Sequence, residues 1–302
     1  CDMATTRVRG LEPPTCHCAQ RTSWRHHKTA TKPTVPLRCP SSLLKLTLPR
    51  LPDLVSARAQ RCLREGEAFV APTAQLLGKM LDWDLDHLQR RLPADIKWGV
   101  HMVREKLVMS HSVRYGGAQQ PTGPPADERF EKSATRVFSF SEFVELATKS
   151  DSNPSSEGRP YLGIDVFKRS GKQDVAGHHG SIGQALLSEF TSAPLHATLN
   201  SLHSTGKLPL LSSIHLFIGM ARINYHCHYD LNPNLHFQLV GRKRFILFPP
   251  EEWRNLYPFP VHHDLDRRSQ LNLDNPAIEE DQYPKWHEAR GMSIELQPGD
   301  CL

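Results

Sequence analysis

Tyr225-His226-Cys227-His228-Tyr229-Asp230-Leu231-Asn232-Pro233-Asn234, followed by LHFQLVGRKRFILFPP over residues 235–250, carries two signals at once. The first is architectural. Ile214–Gly219, Leu235–Val240 and Arg244–Phe248 are short runs of strand-forming residues, bounded by turns at Gly241-Arg242 and Pro249-Pro250. Many short strands separated by polar turns favour a sandwich or jelly roll over a parallel α/β sheet. The second signal is chemical. In an extended segment residues two apart point to the same side, so His228 and Asp230 offer an imidazole nitrogen and a carboxylate oxygen to one point. His226 shares that face, and periodicity alone does not choose between the two histidines.

Those donor types suit Fe(II), and a second histidine would complete a facial triad with three adjacent positions open. A bidentate 2-oxo acid can take two of them and O2 the third. The plain alternative is that an HxD triplet arises often by chance and that both histidines are surface residues. Zinc is disfavoured, because Cys227 points away from the His228/Asp230 pair. Lys243 stands fifteen residues beyond His228, past the Gly241 turn. Its ammonium could meet the distal carboxylate of an oxo acid, or it could be a solvated hairpin lysine. Asn234 could hydrogen-bond a bound acid or shape the turn after Pro233. Tyr161 offers a hydroxyl, although a half-buried strand tyrosine is the commoner explanation.

Upstream, residues 1–45 are rich in Pro, Thr, Arg and His and lack a lasting apolar period. They read as a disordered basic segment. An organelle transit peptide is the competing explanation for such an Arg-rich leader. Residues 50–200 read as a flanking region, and 201–302 as the strand-rich core, incomplete at its C-terminal end. In the flanking region, short helices are expected over 55–65 and 82–88, and strands over 67–72, 97–103 and 161–167. A further helix is expected over 138–147, capped near Ser139 or Ser141, and a helical pattern broken near Pro194 over 181–199. Loops are expected over 116–128 and 148–160, and a surface insertion over 168–180.

Charge is unevenly placed. Residues 1–50 hold nine Lys/Arg and two acids, whereas the remaining chain holds 28 bases and 30 acids. The body is nearly neutral, so a nucleic-acid partner is not expected from charge. Seven scattered cysteines do not form a disulfide framework. The Cys16-His17-Cys18 spacing is too tight for an ordinary zinc finger. No apolar run approaches the ~18 residues needed to span a bilayer, so no membrane association is expected. Cytoplasm or nucleus is the default compartment.

Three stretches then carry a resemblance: GMARINYHCHYDLNPNLHFQLVGRKRFILFPPEEW (219–253), LYPFPVHHDLDRRSQLNLDNP (256–276) and LQPGDCL (296–302). Together they resemble the JmjC/cupin oxygenases, and among these the asparaginyl hydroxylases that act on hypoxia-inducible factor. Weaker resemblance extends through FSFSEFVE, RPYLGIDVF, EGEAFVAP and LDWDLDHL. The resemblance implies a mainly β double-stranded β-helix (jelly-roll or cupin) with flanking helices, holding Fe(II) and 2-oxoglutarate. It implies His228 and Asp230 as catalytic iron ligands, and Lys243, Asn234 and Tyr161 as residues lining the cosubstrate pocket. It expects a third ligand, a histidine, and dimerisation helices beyond Leu302, so a homodimer is expected only with those helices.

Two positions depart from the family pattern. Tyr225 stands where a threonine hydroxyl usually meets 2-oxoglutarate. Arg267 and Arg268 stand at the substrate-side Arg-Gln pair, and a guanidinium there removes an amide acceptor. Tyr115 is a looser match to a substrate-side aromatic. The implied activity is hydroxylation of a polypeptide side chain with O2, asparagine among the candidates. A JmjC-type demethylase, an RNA-base hydroxylase and a catalytically dead cupin binding module are the alternatives.

Overall fold

Strand-forming runs and amphipathic helices alternate along the chain, and the computed structural model assembles them into two main sheets with helices around them. It describes residues 16–23, 46–103, 134–152, 158–170, 173–175, 180–261, 263, 265–271, 273 and 282–302. The first sheet joins β3 (Lys97–Val103), β4 (Ala134–Ser139), β5 (Arg159–Ser170) and β6 (Gln173–Val175) in the order β4-β3-β5-β6, and β7 (Ser213–Gly219) also pairs with β5. The second runs β10 (Met292–Leu296), β9 (Arg242–Phe248), β1 (Cys16–Ser23), β8 (His228–Tyr229). A short pair links β11 (Asp300–Cys301) to β2 (Ala71–Pro72). The expected jelly-roll core with flanking helices is what forms, and helices occupy almost as many residues as strands.

Several helix ends follow from local chemistry. Ser56 caps α1 (Ala57–Glu65) by accepting from the Ala59 N–H, and Gly66, at φ 71°, closes it. Asp84 caps α3 (Leu85–Arg91) by accepting from the His87 N–H. At α4 (Phe140–Ser152), the Ser139 hydroxyl accepts from Glu142 N–H while the Glu142 carboxylate accepts from Ser139 N–H, a reciprocal capping box. α2 is the single turn Ala74–Leu77. α5 (Gly180–Ser192) stops before α6 (Pro194–Ser204), where Pro194 sits in the first turn, the place proline tolerates.

Four expectations need correction or limitation. Residues 148–160 are not all loop, because α4 continues to Ser152. The 168–180 stretch includes a hairpin in which β5 turns back onto β6. Leu235–Val240 forms no regular strand of its own. Instead, His236 and Gln238 exchange backbone hydrogen bonds with Leu302, Asp300 and Gly299 around a Phe237–Cys301 bridge. Finally, Cys16–Ser23, within the segment read as disordered, forms β1 between β8 and β9. Backbone hydrogen bonding to open strand edges recruits a strand without any apolar period, which is why composition concealed it. The 116–128 loop lies outside the described residues.

One large core gathers Leu54, Phe69, Leu88, Val100, Phe143, Leu162, Leu195 and Ile218, and Leu235, Phe237 and Leu239 pack against it. β9 is buried on both faces. Ile246 and Phe248 join Cys227, Leu256 and Trp286, whereas Phe245 and Leu247 join Leu48, Val70 and Leu296. Away from this strand, α5 is tied to α3 through Glu189. Its carboxylate accepts from Trp83 Nε1 at 2.6 Å and meets His87 Nε2 at 3.1 Å and Arg91 at 2.6 Å. Burial would raise the Glu189 pKa, but the Trp83 hydrogen bond and the His87 and Arg91 charges outweigh it and hold the carboxyl below its usual value.

Glu189→Ala therefore leaves Trp83 and two cations without their shared acceptor and should cost about 2–3 kcal/mol in urea unfolding at neutral pH. The Glu189 contribution is present above the ordinary carboxylate range and lost as pH falls through the depressed folded value. The difference between wild type and Glu189→Gln should accordingly shrink on acidification.

Candidate metal and oxo-acid site

Geometry at β8 begins with its backbone. The segment 267–269 runs antiparallel to 227–229, with Tyr229 N–H donating to Arg267 O at 3.1 Å and Ser269 N–H donating to Cys227 O at 2.9 Å. These bonds flank the His228–Arg268 bridge. Leu265 O accepts from Arg268 N–H, and Arg267 adopts φ 66° within this turn. A left-handed conformation is costly for a non-glycine residue and persists where surrounding contacts impose it.

The imidazole of His228 is oriented by its own chain. Its Nδ1 lies 2.8 Å from the His226 carbonyl, so Nδ1 carries the proton and donates. In the neutral ring this contact selects the tautomer with the lone pair on Nε2, the one a metal ligand needs. Asp230 Oδ1 stands 3.9 Å from His228 Nε2, and Asn234 Nδ2 donates to Asp230 Oδ2 at 3.2 Å. Two donors that bind one ion at ~2.1 Å from adjacent octahedral positions stand about 3.0 Å apart, so this pair would have to close by roughly 1 Å to share a small divalent cation. His226 is directed elsewhere, with Nε2 against the Ser269 carbonyl in a buried position. Among the described residues no group of three or more His, Cys, Asp or Glu side chains could hold a metal. The site thus presents a pair of donors.

Aromatic rings line one side. Tyr225 lies 4.9 Å from the His228 ring, Tyr161 lies 6.2 Å from Tyr225, and Phe217 stacks on Tyr161 at 6.2 Å. Tyr161 belongs to β5 and His228 to β8, so this row of rings bridges the two sheets. Burial pushes the Tyr225 phenol up to about 12, with Arg268 opposing the rise and Asp230 adding to it. Tyr161 is raised further, again mainly by burial. Both phenols therefore stay protonated and can donate hydrogen bonds at neutral pH.

Lys243 faces the same way as His228. His17 is the register partner of both His228 and Leu247, and Lys243, Phe245 and Leu247 alternate along β9. Directly opposed residues of paired strands share a face. Lys243 is 5% exposed, its Nζ lies 5.2 Å from the Phe245 ring centre, and no carboxylate stands within ion-pair distance among the described residues. Burial lowers its pKa to about 7. Arg268, also buried, lies within electrostatic range of Tyr225 and Asp230. Arg267 instead meets Asp266 at 3.8 Å.

The structure thus brings His228, Asp230, Asn234, Tyr225, Tyr161 and Arg268 into one neighbourhood and puts Lys243 on the face that His228 occupies. Tyr115 lies outside the described residues. Sequence reasoning missed the Tyr161–Phe217 stack and the use of the His226 carbonyl to fix the His228 tautomer. The former could have been anticipated from Phe217 alternating with Gly219 on a strand, the latter from no sequence signal. A shallow cleft formed by residues 46–50 with Ser293 and Ile294 shares no residue with this neighbourhood.

Comparison with known proteins places these features in context. The family model described as "Cupin-like domain" matches residues 90–302. Lysine-specific demethylase JMJ31 of Arabidopsis thaliana is 32% identical over 94 residues, covering 30% of this chain and 17% of that protein. The HSPB1-associated protein 1 homolog of Danio rerio is 38% identical over 89 residues, 29% of this chain and 19% of that protein. Jumonji C domain-containing protein 5 of Drosophila melanogaster is 32% identical over 117 residues, 38% of this chain and 27% of that protein. The matched stretches therefore span less than a third of each curated relative.

The buried ammonium of Lys243 generates a pH test. Its folded pKa is depressed, so the unfolded chain binds the proton more readily between about pH 7 and pH 10.5 and stability rises across that window. Lys243→Met should stabilise the ligand-free protein by on the order of 4 kcal/mol near pH 6 and by little near pH 10. Denaturant midpoints at the two pH values measure the difference.

Proposed function

We propose that this chain, which belongs to the cupin-like domain family, is an oxygenase domain of the Fe(II)/2-oxoglutarate class acting on a polypeptide side chain. The carrying observation is the approach of His228 Nε2 and Asp230 Oδ1 to 3.9 Å, with Lys243 buried on the same face and no carboxylate within ion-pair distance of it among the described residues. Similarity to JmjC-type proteins supports the class. Fe(II) with 2-oxoglutarate and O2 supplies the oxidising power to place one oxygen on a C–H carbon, with succinate and CO2 as coproducts.

Each residue has a stated part in this reading. His228 and Asp230 would be two ligands of a three-ligand iron site, whose third donor is not among the described residues. Asn234 holds the second oxygen of Asp230, fixing which oxygen faces the metal. Lys243 neutralises the distal carboxylate of 2-oxoglutarate, an ion pair made strong by desolvation on both sides. Tyr225 and Tyr161 donate hydroxyl protons to the cosubstrate. Arg267 and Arg268 line the substrate side. Hydroxylation of asparagine is the narrower form of the proposal. The guanidinium of Arg268 sits poorly with it, because it offers donors but no acceptor for a carboxamide N–H. The same cation opposes a methylated lysine beside the metal, which disfavours demethylation. The absence of a three-donor cluster among the described residues supports one rival, a binding module without turnover.

Anaerobic calorimetry with Mn(II) and 2-oxoglutarate, paired with succinate release in the presence of a polypeptide substrate, separates the two. His228→Ala and Asp230→Ala should each weaken Mn(II) binding at least about tenfold. Lys243→Met should weaken 2-oxoglutarate and spare the metal. In the wild type a bound acid raises the Lys243 pKa, so 2-oxoglutarate affinity should fall as pH rises above 7. Metal binding that is indifferent to both ligand substitutions defeats the proposal, and tight ternary binding without succinate release favours the binding module.

A further inference from the structure

Arg268 is a buried cation with no ion-pair partner among the described residues. It is 6% exposed, and among the described residues no carboxylate lies within ion-pair distance of its guanidinium. Its neighbour Arg267 has Asp266 at 3.8 Å. Asp230 is near enough to act on Arg268 electrostatically, but its carboxylate is engaged by Asn234 and faces His228 Nε2. The backbone decides where the side chain goes. Arg268 is bridged to His228, and the flanking bonds make this a non-hydrogen-bonded antiparallel pair. In such a pair the two side chains emerge on one face with Cβ atoms about 4.5–5.5 Å apart. The guanidinium thus departs from the same face as the metal-facing imidazole, beside the Tyr225 ring.

A guanidinium largely withdrawn from water, with no carboxylate in ion-pair contact among the described residues, is costly. The cost is offset when a ligand brings the missing anion. We infer that Arg268 recognises a carboxylate on the polypeptide substrate, so that the residue presented to His228 and Asp230, or its immediate neighbour, is Asp or Glu. This rests on the proposed oxygenase reading and specifies its substrate class. Lys243, on β9, is separately available for the cosubstrate acid, so two cations correspond to two different carboxylates. A phosphate group would satisfy the same fork. However, the chain beyond residue 50 holds 28 bases against 30 acids and offers no surplus of positive charge to follow a nucleic-acid backbone.

The test uses the full chain loaded with Mn(II) and 2-oxoglutarate, and fluorescent peptide pools of fixed central residue (Asp, Glu, Asn or Gln) with randomised flanks, read by anisotropy. The Asp or Glu pool should bind at least about tenfold tighter than its amide counterpart. Arg268→Gln should abolish that preference while changing 2-oxoglutarate affinity less than about twofold, and Arg268→Lys should restore part of it. Thermal melts of both variants identify misfolding, and the wild-type pool comparison stands without them. Equal binding of acidic and amide pools by the wild type overturns the inference. So does an Arg268→Gln variant that loses 2-oxoglutarate instead, which would make the anion the cosubstrate's. Tighter binding of a single-stranded RNA oligonucleotide than of any acidic pool overturns it as well. Failure of the wild type to bind Mn(II) or 2-oxoglutarate counts against the oxygenase reading alone, because the peptide preference is still read without them.

Discussion

Burial of β9 on both faces is the constraint on which the rest of this protein depends. Ile246 and Phe248 turn toward Cys227 and Trp286, and Phe245 and Leu247 turn toward Leu48, Val70 and Leu296. A strand enclosed in this way has its register strongly specified, because a slip of one residue would exchange the two apolar sets. The same register aligns Lys243 with the face on which His228 lies. Packing of aliphatic groups therefore determines where a charge is held, and the site inherits its precision from the core.

The inward placement of Lys243 has an energetic consequence. Its ammonium is desolvated with no acid nearby among the described residues, and its pKa falls to about 7. Arg268 is also desolvated and cannot readily shed its proton, although Asp230 lies within electrostatic range of it. Two buried cations without an ion-pair partner among the described residues are difficult to explain by stability, since apolar residues of similar volume would serve the fold better. Anionic ligands that complete them are what the proposed function supplies. Against these cations, Glu189 is the contrast: a part-buried acid met by Trp83, His87 and Arg91, which ties α5 to α3.

The positions of Lys97–Val103, Tyr161–Phe167, Ile214–Gly219 and Arg244–Phe248 were legible because each repeats strand-forming residues between turn signals, and each is a strand or part of one. Pro194 marked the α5–α6 break because proline belongs in a first turn. Where local pattern failed, the cause was long-range pairing. Cys16–Ser23 has no apolar period and becomes a strand because β8 and β9 present edges to it. Leu235–Val240 has strand composition, yet it makes only the partial ladder that residues 299–302 allow.

By itself the sequence determined the donor chemistry. An HxD triplet, a lysine fifteen residues on and a guanidinium where an amide was expected are matters of residue identity and spacing, and alternation along an extended backbone puts His228 and Asp230 on one side. Only the tertiary structure distinguishes the surroundings of His226 and His228. Both share a face in the sequence, but Ser269 O takes the ring of His226, and the His226 carbonyl sets the tautomer of His228. Likewise, only the pairing of 267–269 with 227–229 brings Arg268, forty residues distant in the chain, beside that imidazole. Spacing along a strand is a local property of the backbone. Which distant segment lies across from it, and which proton acceptor meets each ring, are set by the packing of the whole.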